Sequence, residues 1–355
     1  MGSVKITAIT VLMLISILYS ATDCEKLKSM YEEKLETWNN IQNEMRSLEI
    51  TKERYDELLP VYNDLWQESE KLKADYMRCV DEAENKHKVF YNDGIQLKRE
   101  NKFAEALEKF VEATRLDPEF EEAFEQAADV SAELSRYAEM EKYLQKVKNA
   151  ERKARIYYKV GNKYRNSNAD RAIEYYTKAA GLHNPSNAYY LIGVVYAQRK
   201  NEPAKAVEFF RRALQHDARD HKIYNALGAS IVDLGNAAQD RDERDRYFDE
   251  AVSVFLKGIE LGPRGYRNFH ELPIRLSQIY NIQGRAISAL EYADSAIRHS
   301  RDSKYSWGHL ERAVALIKME KFDEAKKSLS IAQEDFSMRQ AAEGWLKEIE
   351  RLKSN

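Results

Sequence analysis

The chain has 355 residues, 32% of them charged, yet its formal net charge is only -3. Such mixed signs exclude both the basic footprint of a nucleic-acid-binding protein and an acidic tail. Glycine (13) and proline (6) are scarce beside 22 tyrosines and many charged helix formers, which points to an all-helical protein with ample apolar material for a core.

Residues 1–21, MGSVKITAITVLMLISILYSA, have signal-peptide grammar. Lys5 supplies a thin positive region, Ile6 to Tyr19 are uncharged and mostly apolar, and Ser20 and Ala21 offer a cleavage position. The apolar run falls short of the roughly 20 residues a spanning helix needs, so an uncleaved anchor is the lesser alternative. The mature chain is therefore expected in the periplasm or secreted space, with no stable membrane span, where its two cysteines can oxidise. Asp23, directly before Cys24, makes that cysteine a poor site for a lipid anchor.

From Cys24 to Leu48, residues three and four apart follow a heptad: Cys24, Leu27, Tyr31, Lys34, Trp38, Ile41, Met45, Leu48. From Tyr55 the pattern returns as Tyr55, Leu58, Tyr62, Leu65, Ser69, Leu72, Tyr76, Cys79. Folded antiparallel around Glu49–Arg54, the two runs pair so that facing numbers always sum to 103. That register sets Trp38 on Leu65, the polar lapses Lys34 and Ser69 on each other, and Cys24 on Cys79. A disulfide between these cysteines is expected; two buried thiols, or a parallel oligomeric coil in which Cys24 meets its own copy, are the alternatives. Pro60 sits inside the second run, where a kink or a longer turn is expected. Residues 22–86 thus form an antiparallel coiled-coil hairpin.

Between residues 87 and 337 the chain repeats at close to 34 residues. The clearest unit, FYNDGIQLKRENKFAEALEKFVEATRLDP, carries Phe90, Gly94, Ala106, Phe110, Ala113 and Pro118. Tyr157, Gly161, Tyr164, Ala172, Tyr176 and Ala179 follow the same order, as do Tyr189, Gly193, Tyr196, Ala206, Phe210 and Ala213. A fifth unit fits through Tyr224, Gly228, Ala251, Phe255 and Pro263, with a charged insertion at 235–246 that extends its helices or forms a loop. This pattern closely resembles the tetratricopeptide repeat, a helix–turn–helix unit that stacks into an α-solenoid. Seven repeats are counted, the second, sixth and seventh degenerate, and residues 338–355 read as a capping helix with Trp345, Ile349 and Leu352 on one face. The segment 261–273, LGPRGYRNFHELP, concentrates Gly and Pro and is the expected break or hinge.

The resemblance implies that the first helix of each repeat lines a concave groove. Its mapped positions are Tyr91, Lys98 and Arg99 in repeat one, Tyr158, Asn162 and Arg165 in repeat three, Tyr190 and Gln198 in repeat four, and Asn225 in repeat five. Val194 and Ala229 belong to the same set, and Glu125 with Asp129 makes the repeat-two end acidic. A groove of Tyr, Asn, Arg and Gln suits an extended peptide or partner helix; ordinary surface tyrosine is the plainer reading. The carboxylate clamp of chaperone-binding relatives needs Lys and Asn where this chain has Tyr91 and Ile95.

No Gly-rich phosphate loop, HExxH, CxxC or GxSxG is present, so the reading is not an enzyme, with no cofactor and no metal. His216, Asp217, Asp220 and His221 are better explained as an inter-repeat loop than as ligands. A hairpin before such repeats is similar in layout to periplasmic scaffolds such as the Tol-associated cell-division coordinators. The expected function is a non-enzymatic scaffold or adaptor that binds envelope proteins, with homo-oligomers possible through the hairpin. The alternative is a ligand-binding or transport-accessory protein whose aromatic groove takes a small molecule or lipid.

Overall fold

In a computed structural model, residues 21–47 and 50–354 are described. The leader therefore lies outside the described residues, as does the expected pairing of Leu48 with Tyr55. All regular structure among the described residues is helical, and no described helix is long and apolar enough to cross a membrane. The chain divides into two compact units at Lys148/Asn149.

The N-terminal unit opens with α1 (Ala21–Met45) antiparallel to α2 (Lys52–Arg99). The turn lies earlier than the heptads place it. Thr51 caps α2, its hydroxyl oxygen accepting the Arg54 backbone N–H at 3.3 Å. Helix α2 then continues through Pro60, which neither ends it nor displaces the turn. It also runs past residue 86 without a break, so the second hairpin arm and the first helix of repeat one are a single 48-residue helix.

Cys24 and Cys79 are bonded, with Cα atoms 5.6 Å apart. Midway along the seam, side-chain size modifies the predicted layers. Trp38 stacks on Tyr62 and lies tilted against Trp66 (centroids 4.9 and 4.8 Å), because an indole is wide enough to span one turn of the facing helix. Lys34 reaches past Ser69 to Glu68 (2.7 Å), leaving the buried Ser69 hydroxyl to donate to the Trp66 carbonyl at 2.9 Å. Repeat one closes with α3 (Phe103–Leu116); α4 (Glu121–Glu133) and the eight-residue α5 (Tyr137–Leu144) make repeat two.

The C-terminal unit holds five helix pairs and a last helix. These are α6 (Ala150–Tyr164) with α7 (Ala169–Ala180), α8 (Pro185–Val195) with α9 (Pro203–His216), and α10 (His221–Ala237) with α11 (Arg241–Glu260). Then come α12 (Glu271–Ile282) with α13 (Ala286–His299), α14 (Ser306–Lys318) with α15 (Phe322–Ala332), and α16 (Phe336–Lys353). The charged insertion of repeat five lengthens both of its helices, to 17 and 20 residues, with Phe248 buried against Gly235 in the added turns.

Two local rules recur along the chain. Where the first helix of repeats one, two, six and seven ends, a residue with φ between 60 and 76° (Asn101, Ser135, Gly284, Glu320) reverses the backbone. The next N–H then bonds the carbonyl five residues back, as Lys102 does to Leu97 at 2.9 Å, which satisfies helix-end carbonyls. The second rule is close packing of the paired helices. A Cβ at Gly94, Gly161, Gly193 or Gly228 would stand 2.5–2.7 Å from the ring of Phe110, Tyr176, Phe210 or Phe255. Repeat four departs at Tyr196–Lys200, a π-helical turn that takes up one extra residue before Asn201.

The 261–273 segment breaks the helical run between Glu260 and Glu271, and its side chains pack on neighbouring helices. His221 stacks on Tyr266 (5.1 Å) and its Nε2 lies 2.7 Å from the Gly262 carbonyl, an acceptor that requires the Nε2–H tautomer. Phe269 is buried between His221 and His299. At the C-terminus α16 buries Ala342 and Ile349 against Leu329 and half-buries Trp345. Leu352, assigned to that face, is 38% exposed.

Candidate functional site

The expected groove residues fall into separate local settings. In the N-terminal unit Tyr91 packs edgewise on Phe110 and Phe120 (5.7 and 5.1 Å). Lys98 donates to Asp129 and Gln126, both at 2.6 Å, so the cation of repeat one neutralises the acid of repeat two. Glu125 is buried, and Arg99 is left exposed. The acidic end expected there is consumed by internal pairing.

In the C-terminal unit Tyr158 donates to the Asn184 carbonyl (2.9 Å) at the edge of a depression that also involves Arg152, Arg155 and His183. Asn162 accepts from the Tyr176 hydroxyl at 2.8 Å. Burial pushes the Tyr176 and Tyr190 phenols above their ordinary range, and the nearby charge of Arg165 offsets part of that rise. Tyr158 and Asn162 therefore also hold the array together.

Tyr190, Gln198 and Asn225 are brought together. With Val194 and Ala229 they line an open cavity of about 450 Å³ shared by α8, α10 and α12. Lys222, Asp233, Tyr266, Asn268, Glu271 and Arg275 complete its polar wall. Lys222 and Asp233 fall on groove positions two and thirteen of repeat five, so the repeat rule reaches them. Tyr266, Asn268 and Glu271 come from the irregular segment and the helix start after it, where no period points to them.

Glu271 is the hub of this wall. Its carboxylate accepts from Asn225 (2.6 Å), the Tyr266 hydroxyl (3.1 Å) and Asn268 (3.0 Å). Burial first, and then the Glu271 charge, holds the Tyr266 phenol far above its usual value; the same two causes push Tyr305 up to about 12. Both phenols stay protonated, and Tyr266 donates to Glu271. Burial likewise raises the Asp233 carboxyl, against the opposing charge of Arg275. Because the Asn225 amide nitrogen must face the Glu271 carboxylate, its Oδ1 is fixed as an acceptor, and that buried atom has no donor. The cavity offers an incoming group a half-buried carboxylate, flanked by Lys222, Asp233 and Arg275.

The His216–His221 loop has other work. His216 stacks on Tyr189 (5.6 Å), Asp217 accepts from the Arg219 N–H (2.9 Å), and Asp220 caps α10. Among the described residues no group of three or more His, Cys, Asp or Glu side chains is placed to hold a metal ion.

Repeats six and seven share a buried polar network. The Asn281 amide donates to the Glu311 carboxylate (2.8 Å) and carbonyl (3.0 Å), and Lys318 donates to the Asn281 carbonyl. Glu311 is 8% exposed, and burial raises its carboxyl pKa despite the bonds from Asn281 and Trp307 and the charge of Lys318. A carboxyl raised in the folded state stabilises below its unfolded value, and that stability is lost as pH rises through the folded one. Glu311→Gln is therefore expected to melt higher than wild type at pH 7 and to converge with it near pH 4 and below. Melting curves across that range check it; a lower Tm for Gln at pH 7 would contradict the sign.

Residues 162–221 match the family described as tetratricopeptide repeat. The chain is 26% identical over 128 residues to photosystem I assembly protein Ycf3 of Prochlorococcus marinus subsp. pastoris, covering 34% of this chain and 73% of that protein. It is 27% identical over 123 residues to the protein of the same name from Parasynechococcus marenigrum, covering 32% and 70%. The C-terminal part of a repeat-containing protein from Cytophaga hutchinsonii superposes with a TM-score of 0.50 at 19% identity, over 71% of this chain and 97% of that one. With the recurring glycine–ring contacts and paired helices, these matches identify the repeats of this chain as a tetratricopeptide-repeat array.

Proposed function

We propose that this protein is an adaptor of the periplasm or secreted space that holds a segment of an envelope-protein partner in the cavity of repeats four to six. One observation carries the reading: Tyr190, Asn225, Asp233 and Glu271 converge on one open cavity, whose wall also holds Lys222 and Arg275. Charged groups of both signs around an aromatic ring suit the backbone and side chains of a peptide. The leader grammar and the Cys24–Cys79 pairing support the compartment. The named relatives are assembly proteins, and holding a partner during assembly of a larger complex is the same class of role. The open wall, with Lys222, Asp233, Glu271 and Arg275 in it, fits a peptide better than a lipid, which favours a closed apolar pocket.

The test is affinity capture from the native compartment with wild type, Tyr190→Ala, Asp233→Asn and Tyr158→Ala. Tyr190→Ala is expected to weaken capture about tenfold to thirtyfold, the cost of losing an aromatic anchor of about 1.4–2 kcal/mol. Asp233→Asn should weaken it less, and Tyr158→Ala, outside the cavity, should leave it unchanged. If folded Tyr190→Ala and Asp233→Asn retain every partner at wild-type strength, the cavity is not the binding site.

A further inference from the structure

The outer half of the hairpin carries an apolar surface that its own seam leaves open. Tyr55, Leu59, Tyr62 and Trp66 follow one face of α2 at helical spacing, and Trp38 and Met45 meet them from α1. Trp66, Tyr55 and Leu59 are 43, 40 and 39% exposed and stand on one face, a cluster and not scattered single residues. Between the helices lies a depression of about 220 Å³ walled by Gln42, Met45, Arg46, Tyr55, Leu59 and Tyr62. One turn before Gln42, the Trp38 indole N–H is buried and has no acceptor among the described residues.

The surroundings of this face are acidic. Residues 36–70 contain nine Asp or Glu against three Lys or Arg, although the whole chain is nearly neutral. One of the three, Arg54, is already engaged by Glu44 and Glu57. Asp56 stands one turn before Leu59, and Glu70 one turn after Trp66.

We propose that this face docks an amphipathic helical segment of a partner protein, with its apolar side on Leu59, Tyr62 and Trp66 and with basic flanks toward Asp56 and Glu70. Charge complementarity selects that occupant. A second copy of this chain would set two acidic surfaces against each other, and an anionic bilayer would be repelled by the same charges. The surface is separate from the repeat cavity, so failure at one leaves the other standing.

The probe is a 14-residue peptide of Leu and Lys patterned as an amphipathic helix, titrated into the full mature chain with tryptophan fluorescence as readout. Wild type is expected to bind it and to ignore the same pattern built from Leu and Glu. Leu59→Glu, at an exposed position outside the aromatic stack, and Trp66→Glu, which also removes a ring from that stack, are expected to weaken binding at least tenfold, with helicity by circular dichroism confirming that each hairpin is folded. Asp56→Lys/Glu70→Lys should weaken it as well. The glutamate variants separate docking from plain charge attraction, which would tighten as carboxylates are added. Unchanged or tighter binding by both glutamate variants overturns the proposal. So does a wild-type dimer, seen by sedimentation, that Trp66→Glu dissolves, because the face would then belong to a second copy.

Discussion

Reducing the Cys24–Cys79 bridge is expected to cost the hairpin about 4 kcal/mol, the chain-entropy value for a closed loop of this length. The bridge matters because little else seals these arms. Apart from the two cysteines, Leu58 and Ser69 are the residues buried in the hairpin portions of α1 and α2. Two helices with one narrow seam cannot remove enough apolar surface from water to offset the ordering of more than fifty residues. Cys24→Ser, Cys79→Ser and the double variant should therefore behave alike: amides of α1 lose hydrogen-exchange protection and proteases cut between residues 25 and 75. The lower half of the hairpin should open first, since Trp38, Tyr62 and Trp66 pin the upper half. Equal protection with and without reductant would show that the aromatic stack alone suffices.

The heptads reveal this pairing because a two-helix seam is a periodic object, and one register satisfies both polar lapses and both cysteines. They do not reveal how wide side chains distribute themselves within it. Trp38 covers two residues of α2, and Lys34 extends to Glu68, because reach and ring size act over a full helical turn. The repeat signature is legible for a similar reason: each Gly–ring pair is the same packing event in a new copy. What escapes is aperiodic or pairwise. The 261–273 segment reads as a break or hinge by composition, which does not show that its rings pack on His221 and His299 or that it supplies Tyr266 and Asn268 to the cavity. Groove positions can be counted off from the consensus, but whether a charge there is free depends on its neighbour, as Lys98 with Asp129 shows.

The glycine–ring contacts give the second large effect, and they can be separated from ordinary glycine behaviour. Phe255 is fully buried, and a Cβ at Gly228 would stand 2.5 Å from two of its ring atoms. Neither the ring nor the α10 backbone can move away without opening the core of repeats four to six. Phe255→Ala is expected to cost about 3–5 kcal/mol as a cavity, and Gly228→Ala about 1–3 kcal/mol as overpacking. In the double variant the added methyl enters the space the ring has left. The two costs should then fall short of their sum by about 1 kcal/mol or more, a coupling that contact alone produces. Gly344 provides the control: it lies in the middle of α16 with nothing within 4 Å of its added Cβ. There the same substitution meets open space and gains helix propensity, so Gly344→Ala should stabilise by about 0.5–1 kcal/mol. Denaturant midpoints for the four variants read the whole comparison. Additive costs at Gly228 and Phe255, or a shared sign at Gly228 and Gly344, would mean that close helix approach is not what the repeat glycine serves.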